Sequence, residues 1–130
     1  MRFYLGVVHK DEDSAFGVHF PDLPGCFSAA DSLDDIVAQA TEAVSLYFEG
    51  NDDVITPSTL AVVRASAATD IAEGAFLILV PYIANTNTLA RVNISLDMGM
   101  LAAIDVAASA RKLTRSGFLA LAARREIEGR

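Results

Sequence analysis

The 130-residue sequence predicts an α+β protein of two modules, β-β-β-α-(α)-β followed by strand-helix-helix. Three observations carry that prediction. Apolar residues alternate with period two in short runs, they recur at steps of three and four over residues 33–48, and the charge changes sign along the chain. A hydrophobic content of 52% excludes intrinsic disorder, which needs low hydrophobicity and high charge. The length suits one compact domain or two small ones.

The formal charge of −7, taken whole, argues against nucleic acid as a partner, because phosphate contacts need clustered Lys and Arg. Position reverses that inference. Residues 1–90 carry three basic and thirteen acidic side chains, a charge of −10, whereas residues 91–130 carry seven basic and four acidic ones, a charge of +3. Such asymmetry predicts two modules with different partners. The polar run Ala84-Asn85-Thr86-Asn87-Thr88 between them reads as a linker. The expected organisation is residues 1–83, a linker at 84–90, and residues 91–130.

The first module opens with the β-formers Phe3-Tyr4-Leu5-Gly6-Val7-Val8. The charged stretch His9 to Ser14 reads as a turn, after which Phe16, Val18 and Phe20 alternate with Gly17 and His19, the pattern of a half-buried antiparallel strand. Pro21, Pro24 and Gly25 break it, and Gly25 to Ala30 returns as a third strand. Ser32 with Asp35 three residues on is a capping-box-like helix start, and Asp31, Asp34 and Asp35 suit the positive end of the helix dipole. Leu33, Ile36, Val37, Ala40, Val44, Tyr47 and Phe48 then form one apolar face that stops at Gly50. Ser58 to about Ala67 is a second, weaker helix capped by Ser58. Ala75 to Pro81 is a continuous apolar run of strand length, suited to a buried position. The expectation is a sheet with helices on one side.

The stretch FGVHFPDLPGCFSAADSLDDIVAQATEAVSLYFEG, from Phe16 to Gly50, resembles the signature of HicB-like antitoxins. In that family a strand ending in FPDLPGC leads through another strand and a D-S/T-L start into an amphipathic helix. RFYLGVV matches the family's first strand, Leu77 to Tyr82 its last, and the resemblance covers most of residues 1–82. It implies a partner, a small basic RNA-cleaving toxin of the HicA type, which an acidic module would attract electrostatically.

In the second module Arg91, Asn93 and Ser95 alternate with Val92, Ile94 and Leu96, a single amphipathic strand. Asp97 is an N-cap for a helix from about Met98 to Arg111, with Leu101, Ile104 and Ala108 inward. Leu113 and Thr114 mark a short turn, Thr114 caps again, and Ser116 to about Ile127 is a second helix with Phe118, Leu119, Ala122 and Ala123 inward. A lone strand with two helices cannot satisfy its edges or bury its core, so pairing with the same strand of a second chain is expected. The paired ribbon would project Arg91, Asn93 and Ser95 outward. A two-stranded ribbon fits the DNA major groove, where Arg and Asn read guanine and adenine bidentately.

From Arg91 to Phe118 this order is similar to the ribbon-helix-helix family of dimeric repressors. The resemblance implies that Arg91, Asn93 and Ser95 are base-reading positions and that Thr114, Arg115 and Ser116 anchor phosphate, where free backbone N–H groups favour an anion. One departure is Lys112, at a turn where the family often has Gly.

Catalysis finds little support. His19, Asp22 and Cys26 are close in sequence, but alternation points His19 to solvent, Asp22 sits in a proline turn, and no motif supplies an oxyanion hole. Cys26, the only cysteine, allows no disulfide within the chain and reads as a small half-buried residue at a strand start. Asp11, Glu12 and Asp13 read as a solvated turn, and no phosphate loop or metal motif is present. No catalytic residue, cofactor or metal is therefore expected. The N-terminus has no apolar run before a cleavage site, and no run reaches the roughly 18 apolar residues of a span, so a soluble, cytoplasmic protein without membrane contact is expected.

The expected fold class is α+β: a HicB-like domain plus a ribbon-helix-helix that dimerises through an intermolecular antiparallel strand pair. The expected function is an antitoxin that neutralises its toxin and represses its own operon by binding operator DNA, as a homodimer or higher oligomer through residues 91–130. The alternative is a stand-alone ribbon-helix-helix repressor whose first domain senses a ligand or assembles subunits.

Overall fold

A computed structural model describes residues 1–129, and the chain divides after Ala84 into two compact units. The first contains strands β1 (Arg2–Lys10), β2 (Phe16–His19), β3 (Phe27–Ala30) and β4 (Phe76–Tyr82), with helices α1 (Ile36–Phe48), α2 (Leu60–Ser66) and α3 (Ala68–Ala72) between β3 and β4. The sheet has the order β3-β2-β1-β4 and every neighbouring pair is antiparallel. Pairing Lys10 with Phe16 and His9 with Gly17 carries β1 two residues further than the turn expected at His9. The turn is confined to the residues after Lys10, where Ser14 N–H donates to Asp11 O.

Alternation assigns Tyr4, Gly6 and Val8 to one face of β1. On that face Tyr4, Val8, Val18 and Val80 pack with Ile36, Ala40, Val44 and Phe48 of α1 in one buried cluster. Gly6 is required there: a Cβ would lie 2.8 Å from Val18 Cγ1 and 3.2 Å from a Phe20 ring carbon. Tyr4 donates its hydroxyl to Ile55 O, and the rings of Phe48 and Tyr82 stack with centroids 4.5 Å apart. The Arg2 guanidinium lies over the Tyr82, Phe48 and Tyr4 rings at 5.2, 5.3 and 5.9 Å.

Val7, on the opposite face, is also fully buried, and His9 on that face approaches Asp70 of α3. Helical structure therefore covers both faces, not one side only. The reason is local: the segment expected as a single weak helix turns at Ala67 into two short ones, whose Val63 and Ala67 are buried. The α2 cap is Thr59, whose hydroxyl accepts from Val62 N–H, whereas Ser58 is occupied elsewhere. The apolar run 75–81 also differs from expectation. As β4 it lies at the sheet edge, with Val80 and Pro81 buried but Leu79 56% exposed.

The start of α1 departs from a full capping box. Ser32 and Asp35 do meet, but the Ser32 hydroxyl donates to the Asp35 carboxylate at 2.7 Å, and Leu33–Asp35 form a 3₁₀ turn ahead of the helix. Leu33 consequently leaves the apolar stripe and is 64% exposed, while Thr41 joins the buried side by donating to Val37 O.

The second unit contains α4 (Met98–Ala110) and α5 (Arg115–Ile127). Ile104 and Ala108 are buried as expected. On α5 the half-buried apolar side chains are Phe118, Leu119 and Leu121, and the expected inward residues Ala122 and Ala123 are exposed.

Candidate functional site

Residues 91–97 form no ladder with any other described residue, and all seven are exposed. The apolar alternates are largely bare: Val92 is 76% exposed, Ile94 59% and Leu96 40%. Arg91, Asn93 and Ser95 occupy the intervening positions. The strip is anchored at its end by Asp97, whose carboxylate accepts from Gly99 and Met100 N–H at 2.8 and 3.3 Å and so starts α4.

The turn from α4 to α5 is a Schellman motif. Leu113 N–H donates to Ala108 O and Lys112 N–H to Ser109 O, with Lys112 in the left-handed region at φ +57°. A lysine thus adopts the conformation that glycine takes most readily, and the interhelical turn keeps its hydrogen bonds. Thr114 caps α5 by accepting from Gly117 N–H at 3.0 Å. Arg115, expected to anchor phosphate, makes a bidentate pair with Asp105 of α4, both N···O distances being 2.9 Å. That pair holds the Asp105 carboxyl below its usual range and raises Arg115. Ser116 is exposed on the first turn of the same helix. The Asp105 pairing, ten residues away, carries no sequence signal beyond opposite charge.

In the first unit, His19, Asp22 and Cys26 are not assembled into a reactive group. The Asp22 carboxylate accepts from Ser58 N–H at 2.8 Å and from the Ser58 hydroxyl at 2.6 Å, so the proline turn is tied to the segment before α2. Cys26 is buried just before β3 and more enclosed than expected, and burial pushes its thiol pKa up, away from thiolate. The FPDLPGC stretch is a packing device: Phe20, Leu23 and Cys26 are buried, and Gly25 takes φ +85° between them.

His19 does not stand alone in solvent. Its Nδ1 lies 3.0 Å from His9 Nε2, and His9 Nε2 lies 3.9 Å from Asp70 Oδ1. Burial, then the neighbouring His9, lower the pKa of His19. The sequence contains part of this: with Val7 opposite His19, the two histidines share a face as diagonal neighbours. Asp70 comes from α3, whose docking no local pattern foretells.

The family described as HicB_like antitoxin of bacterial toxin-antitoxin system matches residues 4–123, spanning both units. A UPF0150 protein of Archaeoglobus fulgidus is 43% identical over 54 residues, 42% of this chain and 77% of that protein. Among solved structures, the Burkholderia pseudomallei antitoxin HicB is 33% identical with a TM-score of 0.54, covering 99% of this chain and 98% of its own. The antitoxin HicB3 is 26% identical with a TM-score of 0.56, covering 96% of this chain and 97% of its own. The FPDLPGC turn, the amphipathic α1 that follows it and the family match through residue 123 agree, and the chain belongs to the HicB-like antitoxin family of bacterial toxin-antitoxin systems.

Proposed function

We propose that this chain neutralises an RNA-cleaving, HicA-like toxin by direct binding through residues 1–83 and represses its own operon through residues 91–130, with residues 84–90 as linker. The observation that carries the reading is the family match over both units together with the bare apolar strip at Val92, Ile94 and Leu96. An edge-unpaired amphipathic segment of seven residues is relieved by a second copy, which makes a two-stranded ribbon over four helices. Arg91, Asn93 and Ser95 then lie on the outward side and read base edges, while the first turn of α5, with Thr114, Arg115 and Ser116, faces phosphate. The −10 charge of residues 1–90 suits a basic protein and repels DNA. No helix among the described residues is long and apolar enough to cross a membrane.

Two measurements test the halves separately. In a salt-controlled operator titration, Arg91→Ala and Asn93→Ala should abolish selectivity for the operator over random DNA while toxin neutralisation persists; unchanged selectivity refutes the base-reading assignment. Arg115→Ala should weaken all DNA alike and reduce the salt slope by about one, and Asp105→Asn, which frees the guanidinium, should act oppositely. For the first half, co-expression with an adjacent short basic reading frame should relieve growth arrest. Failure there favours a stand-alone repressor.

A further inference from the structure

We propose that His9, His19 and Asp70 form a binding site for a divalent transition-metal ion of the zinc, cobalt and nickel class. The donors come from three separate elements, β1, β2 and α3, and their ligand atoms all lie within 4.8 Å of one another. Two imidazole nitrogens and one carboxylate oxygen match the borderline-soft preference of these ions, and three protein ligands leave further positions for water.

The spacing suits one ion. Metal–ligand bonds of about 2.0–2.1 Å in a tetrahedral arrangement place neighbouring donors about 3.4 Å apart. His9 Nε2 to His19 Nδ1 is 3.0 Å and His9 Nε2 to Asp70 Oδ1 is 3.9 Å, so the two edges bracket that value. With 39% of the His9 side chain and 36% of the Asp70 side chain exposed, both can make the required adjustment and solvent can deliver the ion. Gly17 stands opposite His9 in the β1–β2 ladder, and a Cβ there would meet nothing within 4 Å, so space is open beside the ring.

The two rings are 18° from parallel with centroids 5.0 Å apart. With the nitrogens 3.0 Å apart, they face each other nearly along the line of centres, as in an N–H···N hydrogen bond. An ion bound on the Asp70 side of that line takes both lone pairs. The proton of the former hydrogen bond moves to the other nitrogen of its own ring, so each imidazole stays neutral and keeps one N–H. Because the ion joins the β1–β2 hairpin to α3, it ties down the short helix that covers the second face of the sheet.

The test uses the tag-free 130-residue chain, whose sequence holds two histidines, His9 and His19. Titration with Co²⁺ should give visible d–d absorption saturating at one ion per chain, and Zn²⁺ should displace it. Both imidazole resonances should shift together. Mg²⁺ at millimolar concentration should not compete, since hard cations prefer all-oxygen sites. His9→Gln and His19→Gln should each weaken Co²⁺ binding by at least about tenfold, with Asp70→Asn as a third variant that leaves both rings in place. Circular dichroism and melting of the metal-free variants check that the fold is kept. Absence of Co²⁺ binding to the parent refutes the site. So does binding that survives in the double histidine variant, which would assign the ion to the carboxylates of Asp11, Glu12 and Asp13.

Discussion

Ile94 sits at the middle of the exposed strip, where the proposed pairing about a two-fold axis would bring the two copies together. In the single chain it is 59% exposed, so its truncation costs the isolated unit little. Ile94→Ala removes three carbons at about 0.8 kcal/mol each on full burial. Scaling by the 59% that a partner would newly cover gives about 1.4 kcal/mol per protomer and, with two symmetric copies, about 2.8 kcal/mol per dimer. That corresponds to a dimer dissociation constant raised about a hundredfold. Sedimentation equilibrium across a dilution series measures it, with Asn93→Ala as the comparator that should dimerise normally. An unchanged constant for Ile94→Ala, or an equal loss for Asn93→Ala, refutes the reasoning that the apolar alternates form the contact between copies.

Replacing Lys112 by Gly relieves a left-handed side-chain conformation and should stabilise the second unit by up to about 1 kcal/mol, read as a higher denaturation midpoint. Gly6→Ala should have the opposite sign in the first unit, because the added Cβ meets stiff Val18 at 2.8 Å, and a loss of about 1–3 kcal/mol is expected in urea unfolding. Asp105 provides a pH test. Its folded pKa is depressed by Arg115, so the stability it contributes is present above its ordinary carboxylate value of 3.8 and is lost as pH falls through the lower folded value. The acid limb of the second unit's melting profile should therefore be shallower in Asp105→Asn; an identical limb refutes the linkage.

Much of the fold was legible because its signals are local. An N-cap needs only the next three residues, so Asp97 and Thr114 mark the starts of α4 and α5 without knowledge of the rest of the chain. Alternation also separates Arg91, Asn93 and Ser95 from Val92, Ile94 and Leu96, but all six are exposed in the single chain, which forms no strand there. Where a boundary depended on a partner, the reading slipped. The ladder extended β1 through His9 and Lys10, and the Asp22 carboxylate took Ser58 from the cap position that Thr59 then filled.

The sequence by itself determined β1 to β3, α1, β4, α4 and α5 in their order, the segregation of charge into −10 and +3 segments, and the family, because each rests on residues a few positions apart. Only the tertiary structure decided that the apolar run at 76–82 is an edge strand and that α3 lies over the second face of the sheet. It also decided that Arg115 is paired with Asp105 and that His9 and His19 meet Asp70. Each of those contacts joins residues far apart along the chain, where opposite charge or shared polarity admits many partners and only the packing of whole elements selects one.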